Sequence, residues 1–340
     1  MHMDNSFFIM SEMRDGKTPV TITRLQICTW NIVSGNASLE IGIEIKPNTL
    51  PQNQECSIVF FTNWPTEGCN ITSLHDKFTK HDNVRFVFNE TDFTSGPIDE
   101  QTHNGSRIVF NEGSQRILAI LPAKAEKLEN GVFNLSFKNK AKEDESPYLR
   151  VMIKTPLNTL AMVKNGIAQN TYIFDVKFNE RRNLPKRFSD IVDTKNLTYC
   201  LIENVFCLHV VPTSFEISFI DSAKLKNIRQ LEKTALKTYL PEIELSAKED
   251  YIITFSKYAN PDKTNYSFFC AFSQEAIGTT QIFFAIAMNI FCSLLFAFAE
   301  LRKFWNSQLP WYRQISGEYY IALVFLIVFV CYICKRIKAK

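Results

Sequence analysis

Two uncharged apolar segments near the carboxyl end constrain this chain more than any other feature. Residues 276–299 contain no charged side chain over 24 positions, and residues 319–334 contain none over 16. A membrane-spanning helix needs about 20 predominantly apolar residues. The first segment is therefore predicted to be transmembrane helix 1. The second is slightly short, but flanking basic side chains that extend to the headgroups lengthen the effective span, and it is predicted to be transmembrane helix 2.

Residues 300–318 are predicted to form an interfacial loop that joins the two helices into a hairpin. Aromatic residues concentrate at membrane–water interfaces, and basic residues reach toward headgroups from the ends of a span. The predicted membrane-interface anchors are Trp305, Trp311, Tyr312, Lys335 and Arg336.

The basic tail at residues 335–340, KRIKAK, is of the kind that stays on the cytoplasmic side of a membrane. Two spans place both chain ends on the same side. The amino-terminal sequence MHMDNSFFIMSEMRDG has neither the basic region nor the cleavage site of a signal peptide. We therefore expect a multi-pass membrane protein whose amino and carboxyl termini are cytoplasmic, with the lipid bilayer as a partner.

One face of transmembrane helix 1 carries small and polar residues at intervals of four: Gln281, Ala285, Asn289 and Ser293. Such residues let helices approach closely and form hydrogen bonds between them in a membrane. Two readings stay open and do not exclude each other. The stripe packs against the second helix of the same hairpin, or it mediates transmembrane association of a homo-oligomer or lines a pore.

The net charge of +3 is a property of the carboxyl-terminal part alone. Residues 276–340 hold seven of the 38 basic and two of the 35 acidic residues, which leaves 31 basic and 33 acidic residues in 1–275. A nucleic-acid-binding domain has a basic surface. Nucleic acid is therefore not an expected partner.

Alternation of apolar and polar residues dominates from about residue 20, as in the segment LEIGIEI at 39–45. About nine such runs, one of them at 84–88, are separated by Gly, Pro and Asn turn signals. Residues 19–178 are predicted to form a mainly β domain, an antiparallel β-sandwich or jelly-roll-like fold. Residues 1–18 are predicted to be disordered.

The polar stretch at residues 179–196, with five basic residues and a proline, is predicted to be a basic linker. Residues 197–273 are then predicted to be a small α+β membrane-proximal domain. Its helix is expected at 222–240, because leucine and isoleucine recur there near a period of 3.6 and Pro241 follows.

No catalytic signature is present: the sequence has no G-x-S-x-G, Walker loop, G-x-G-x-x-G or H-E-x-x-H. His75 and His81 are six residues apart, which matches no zinc pattern, so no metal site and no cofactor are predicted. The chain is predicted not to be an enzyme. Six cysteines precede the membrane segments and are interpreted as reduced, buried thiols: Cys28, Cys56, Cys69, Cys200, Cys207 and Cys270.

The leading hypothesis is a membrane-anchored binding or sensor protein, whose cytosolic β-rich domain controls an oligomerising, membrane-perturbing hairpin of the kind microbial defence or stress effectors use. The sequence does not identify the ligand or partner of that domain. The alternative is an exported, glycosylated or adhesive ectodomain. It is favoured by seven N-x-S/T sequons, which begin at Asn36, Asn70, Asn89, Asn104, Asn134, Asn196 and Asn265.

Overall fold

In the computed structural model, the chain divides into two compact units, Met1–Gln274 and Glu275–Lys340. The structure describes residues 5–13, 19–33, 36–64, 69–99, 104–111, 116–166, 169–221, 225–241, 249–259, 265–275 and 279–305, together with positions 323, 324 and 327.

The first unit is mainly β. Its strands within the described residues are β1 Asn5–Glu12, β2 Thr21–Val33, β3 Asn36–Ile45, β4 Glu55–Thr62, β5 Asn70–Ser73, β6 Phe93–Pro97, β7 Ser106–Phe110, β8 Arg116–Ile120, β9 Lys124–Glu129, β10 Val132–Lys138, β11 Ser146–Pro156, β12 Met162–Asn165, β13 Gln169–Phe178, β14 Leu197–Tyr199, β15 Leu201–Ile202, β16 Asn204–Pro212, β17 Phe215–Ile220, β18 Leu225–Leu231, β19 Tyr251–Ala259 and β20 Tyr266–Glu275. Its α-helices are α1 His81–Phe88, α2 Leu157–Leu160, α3 Ser189–Thr194 and α4 Lys233–Tyr239.

These strands form two sheets. Sheet A has the order β17-β20-β13-β1-β4-β10-β9, and sheet B has the order β18-β19-β16-β2-β3-β11-β8-β7-β6. Both sheets are mixed. In sheet A β1 runs parallel to β13, and in sheet B β16 runs parallel to β2. The prediction of a mainly β fold is confirmed. Most described strand pairs are antiparallel, as predicted, but the sheets are not purely antiparallel. Hairpins force antiparallel neighbours, whereas strands far apart in sequence can pair in either direction.

One hydrophobic cluster draws buried residues from both sheets. Sheet A contributes Phe60 and Phe133, whose rings stack at 4.8 Å, and sheet B contributes Ile41 and Val151. All four side chains are fully buried or nearly so. Facing layers of a β-sandwich share this kind of core. The polar residues that alternate with the sheet B members of this cluster therefore lie on the opposite, outer face of sheet B.

The amino-terminal segment is not disordered over residues 5–12. It forms β1, an inner strand of sheet A that pairs with β13, β14 and β4. Phe7, Phe8, Ile9 and Met10 are all fully buried. The run is only four residues long, but an inner strand is covered on both faces and can bury each of them. Residues 1–4 and 14–18 lie outside the described residues.

Residues 179–196 are not a linker. Two 3-10 turns and α3 occupy most of this stretch, and Phe188 is fully buried with its ring 5.2 Å from that of Phe61. The Asn179 side chain accepts a hydrogen bond from the Ile9 amide at 2.9 Å and donates one to the Cys200 carbonyl at 3.0 Å. The basic residues that suggested a linker lie on the solvent side of this packed segment.

Residues 197–273 do not form a separate sheet. Their strand β16 pairs with β2 in sheet B, and β20 lies beside β13 in sheet A. The two segments that the sequence divides into domains are therefore interleaved within the unit Met1–Gln274.

Two local predictions are wrong because short apolar runs fit both strand and helix periods. Residues 84–88 are helical, in α1, with Val84 and Phe88 buried one turn apart and Asn89 capping the helix in the left-handed region at φ 55°. The helix expected at 222–240 is confirmed only at α4. Residues 225–231 form strand β18 instead, where Ile228 is exposed.

The second unit contains α5, Thr279–Trp305, which continues six residues beyond the predicted end of transmembrane helix 1. Among the described residues, Ile282–Leu301 is the one stretch long and apolar enough to cross a membrane. Its large apolar side chains are exposed, Phe283 by 71%. An apolar surface of this extent is unfavourable in water and favourable in lipid. The predicted second helix lies outside the described residues except for three helical positions, Leu323, Val324 and Ile327.

Candidate functional site

The outer face of sheet B carries an unusual set of buried polar side chains. On β2, Leu25 and Ile27 point into the inter-sheet core, so Gln26 and Cys28 point outward. On β3 the outward positions include Glu40, which is fully buried. A strand face that the alternation suggests to be solvated is therefore covered by other parts of the unit.

Helices α1 and α4 provide part of this cover. Phe86 of α1 lies between two rings, with centroid distances of 6.4 Å to Trp30 and 5.2 Å to Tyr239. Trp30 lies on the outward row of β2, and Tyr239 is the last residue of α4. These aromatic contacts hold the two helices over the middle of sheet B.

Arg150 of β11 is the centre of a buried hydrogen-bond network. Its Nε and Nη2 donate to one Glu40 oxygen, Oε2, at 2.9 and 2.5 Å. Its Nη1 donates to Gln26 Oε1 at 3.0 Å and lies 3.0 Å from the Tyr148 hydroxyl. Tyr239 in turn donates its hydroxyl proton to Glu40 Oε2 at 3.0 Å. Paired charges in this dry setting interact strongly, and removing one partner leaves a buried uncompensated charge.

Gly42 makes room for this network. In the register of β3 it lies opposite Gln26 on one side and Arg150 on the other. A Cβ at this position would come within 2.5 Å of the Tyr148 hydroxyl oxygen and 2.9 Å of Gln26 Oε1. The side chains of the neighbouring strands thus cross above the glycine, in space that any other residue would fill.

A second ion cluster surrounds Glu44, which lies four residues further along β3 than Glu40. Arg116 binds both oxygens of Glu44, at 2.6 and 3.2 Å, and also contacts Glu90 at 3.3 Å. The Nε of Arg24 lies 3.6 Å from Glu44, beyond hydrogen-bond distance, and the Arg24 guanidinium group stacks 5.0 Å from the centroid of the Phe206 ring. Glu44 is therefore bound mainly by Arg116.

Beside these clusters is a cavity of about 210 Å³. Its floor is the outer face of β2, β16 and β19, and its walls come from α1 and β18. The described residues that line it are Arg24, Gln26, Cys28, Trp30, Phe86, Val87, Phe88, Asn89, Arg150, Phe206, Leu208, Asn227, Arg229, Leu231, Ile253 and Phe255. Every charged residue in this described lining is an arginine.

The electrostatic environment of these groups follows from burial and from their partners. Burial lowers the pKa of Arg150, but Tyr148, Tyr239 and Glu40 outweigh it and hold the pKa well above the ordinary value. Burial, and then the positive charge of Arg116, lower the pKa of Arg24 despite the presence of Glu44. Both guanidinium groups stay charged at neutral pH.

The arrangement provides binding groups rather than reactive ones. Cys28 is the one thiol in the described lining, and burial raises its pKa well above the ordinary value, so the nucleophilic thiolate is disfavoured. Guanidinium donors beside aromatic rings suit recognition of an anion in a partly apolar setting.

The cysteine prediction is confirmed: the six in this unit are buried and free of disulfides. The two histidines considered as ligands are engaged otherwise. His75 contacts Asp76 at 2.8 Å, and the His81 ring stacks 4.2 Å from that of Phe93. Within the described residues, no group of three or more His, Cys, Asp or Glu is placed to hold a metal ion.

The residues predicted for transmembrane association lie on α5. Ala285, Asn289 and Ser293 are exposed on this helix, and the Ser293 hydroxyl donates to the Asn289 carbonyl at 2.8 Å. Gln281 lies in the first turn of α5, and Trp305 is its last residue. The other predicted interface anchors, Trp311, Tyr312, Lys335 and Arg336, lie outside the described residues. Association and anchoring stay predictions.

Sequence reasoning missed the cavity residues altogether. The signal available was the outward row of β3, where two glutamates sit in a strand flanked by other long apolar runs. Two carboxylates in the middle of a sheet require partners if that face is covered. Arg24 and Arg150 lie on β2 and β11, the two strands that pair with β3, and Arg116 lies on β8, one strand further. They could have been assigned as those partners.

Searches of protein-family models and of curated proteins found no match to this chain.

Proposed function

We propose that this chain is a membrane-anchored ligand-binding sensor, in which occupation of the cavity on sheet B controls an oligomerising, membrane-perturbing transmembrane hairpin. The observation that carries the binding part is the cavity itself, with arginine as the charged residue of its described lining and aromatic rings around it. Cavities with a few polar groups in an apolar wall are the usual form of small-molecule sites.

The anchor part of the proposal is supported by α5, whose stretch Ile282–Leu301 presents exposed apolar side chains along its length. We propose that residues 319–334 complete a two-pass hairpin, with both termini in the cytoplasm. The polar side chain of Asn289 is exposed on α5. In lipid an amide seeks a hydrogen-bond partner, which a second copy of the helix supplies.

The test measures membrane potential with a voltage-sensitive dye in cells that express the full-length chain, across growth and stress conditions. Leu208→Trp fills the cavity, and Asn289→Leu removes the polar group of α5. Phe219→Trp is the matched control, because this residue is exposed and does not line the cavity. We expect at least one condition in which the wild type and Phe219→Trp depolarise the membrane while the other two variants do not. Depolarisation by Leu208→Trp equal to that of the wild type, or depolarisation by no variant under any condition, contradicts the proposal.

A second function is an exported, glycosylated ectodomain with an adhesive role. It is favoured by the exposure of five sequon asparagines: Asn70, Asn89, Asn104, Asn196 and Asn265. The six buried cysteines, which form no disulfide among the described residues, favour the cytosol instead, since export exposes a chain to oxidation. Treatment of the full-length protein with an N-glycosidase separates the two. A downward mass shift supports the ectodomain, and an unchanged mass supports the cytosolic sensor.

A further inference from the structure

The hydrogen-bond donors of the Arg24 guanidinium group indicate which kind of ligand the cavity binds. Among the described residues, the Glu44 carboxylate is occupied at both oxygens by Arg116, and Arg24 stays 3.6 Å away. The Arg24 guanidinium thus has an ion pair but no hydrogen bond within the described part of the chain. Its donors are available to a ligand, and charge-assisted hydrogen bonds to an anion are the strongest that such donors make.

Arg229 supplies a second guanidinium group from the wall that β18 forms. It lies on β18 with an exposed side chain, and its Nη1 donates at 3.3 Å to the amide oxygen of Asn89, at the end of α1. An amide oxygen is a weaker acceptor than a carboxylate or phosphate. The positive charge of Arg229 therefore also favours an anion as the occupant of the cavity.

The aromatic part of the lining points to a flat group on the ligand. Phe206 and Phe255 stack with a centroid distance of 5.9 Å and an interplanar angle of 26°. The guanidinium of Arg24 lies over the Phe206 ring. A ring that enters beside them gains offset aromatic contacts while its substituent reaches the arginine. The volume of about 210 Å³ is below the roughly 300–1,000 Å³ of drug-sized sites, which limits the ligand to one ring system and one charged group.

We propose that this cavity binds a small organic anion that combines one flat ring system with one phosphate or carboxylate group. Arg24 binds the anionic group, Phe206 and Phe255 pack against the ring, and Arg229 adds a second positive charge on the β18 side of the cavity. This assignment rests on the proposed function, because it names the ligand class of the same site.

The test is calorimetric titration of the purified full-length chain in detergent. The phosphate arm uses adenosine monophosphate against adenosine, and the carboxylate arm uses indole-3-acetate against indole-3-acetamide. Each pair differs in the anionic group alone. We expect the anion in at least one arm to bind roughly tenfold or more tightly than its neutral counterpart, as a charge-assisted contact predicts. The arm that responds identifies the anionic group. Equal affinity within both pairs, or binding in neither, overturns the proposal.

Two variants locate the effect. Arg24→Gln is expected to abolish the tenfold preference, and Arg182→Gln, at a residue whose side chain is 85% exposed and outside the cavity lining, is expected to keep it. If Arg24→Gln does not fold, Arg24→Lys is the second variant. It keeps the positive charge beside Glu44 but loses the planar fork of donors, so it is expected to lower the preference. A preference that survives the arginine change in the cavity overturns the assignment.

The outcome separates the ligand class from the sensor function. If the anion pairs fail while Leu208→Trp still abolishes depolarisation, the ligand class is wrong and the sensor stands. If Leu208→Trp leaves depolarisation intact, the sensor function is wrong whatever the cavity binds.

Discussion

Acidification is expected to destabilise the β-rich unit through His209. This residue lies on β16 in the core between the sheets, 2% exposed, with its ring stacked 4.9 Å from Phe268 and near Phe174 and Phe272. Its Nδ1 is 2.5 Å from the Thr29 hydroxyl oxygen, and its Nε2 has no hydrogen-bond partner within the described residues. Burial lowers its pKa to about 3, so the native state holds the ring neutral.

The magnitude follows from the difference between the folded and unfolded states. In the unfolded chain the ring titrates near pH 6.5, so below that pH the unfolded state binds a proton that the native state excludes. The contribution of His209 to stability is complete above pH 6.5 and is lost as the pH falls toward 3. Between pH 7 and pH 5 this loss is about 2 kcal/mol, given 1.36 kcal/mol for each pH unit of difference in proton binding.

The assay is urea unfolding of the full-length chain in detergent, followed by circular dichroism at pH 7 and pH 5. His209→Phe is the matched variant, because phenylalanine keeps an aromatic ring among the three phenylalanines and cannot titrate. We expect the wild type to lose about 2 kcal/mol more than His209→Phe over this interval. If both proteins lose the same free energy of unfolding, the histidine is not held neutral by burial and the reasoning is refuted.

Two substitutions and one labelling experiment test the packing of the β-rich unit. Arg150→Met should lower the free energy of unfolding by about 3–5 kcal/mol, because it leaves the buried Glu40 carboxylate unpaired, and adding Glu40→Gln should recover part of the loss in the same urea assay. Gly42→Ala should cost about 1–3 kcal/mol, since its Cβ must displace Tyr148 or Gln26, and a neutral result would contradict the crossing of side chains above that glycine. The six buried cysteines should react with maleimide only at the rate of unfolding, which mass spectrometry with and without urea measures.

Much of the β structure is predictable from short apolar runs and the turn residues that bound them. The runs that became β4, β7, β10, β11 and β13 are rich in β-branched and aromatic residues and end at Pro or Asn. The apolar stretch that contains Ile282–Leu301 is equally plain, because composition and length decide it without tertiary context.

Pairing between distant strands was not predictable in the same way. The position of β1 inside sheet A is set by pairing with Val176 on β13 and Phe61 on β4. The local sequence of β1 does not identify either partner strand. The same holds for β18, whose leucine and isoleucine spacing matches a helix until pairing with β19 determines its conformation. Tertiary contacts override short-range periodicity in such segments.

The cavity could not be predicted from the sequence for a related reason. A polar residue on a strand is expected to face water, so the alternation of Glu40 and Glu44 with isoleucines suggested a solvated face. That face is covered because α1 and α4, far away in the sequence, pack over it. Burial of a charge depends on how the layers assemble. Here it turns residues that the sequence assigns to the surface into residues of the candidate site.

The interleaved strand order has a consequence for synthesis of the protein. Strand β2 ends at Val33, and its parallel neighbour β16 begins at Asn204, so one side of β2 stays without this partner while some 170 residues are translated. At about 5–20 residues per second this interval is roughly 9–34 s. During this time an apolar strand with an open edge leaves the ribosome before the segment that closes it. We infer that nascent chains depend on a chaperone until β16 emerges, and that premature stops within this stretch yield aggregates rather than smaller folded proteins.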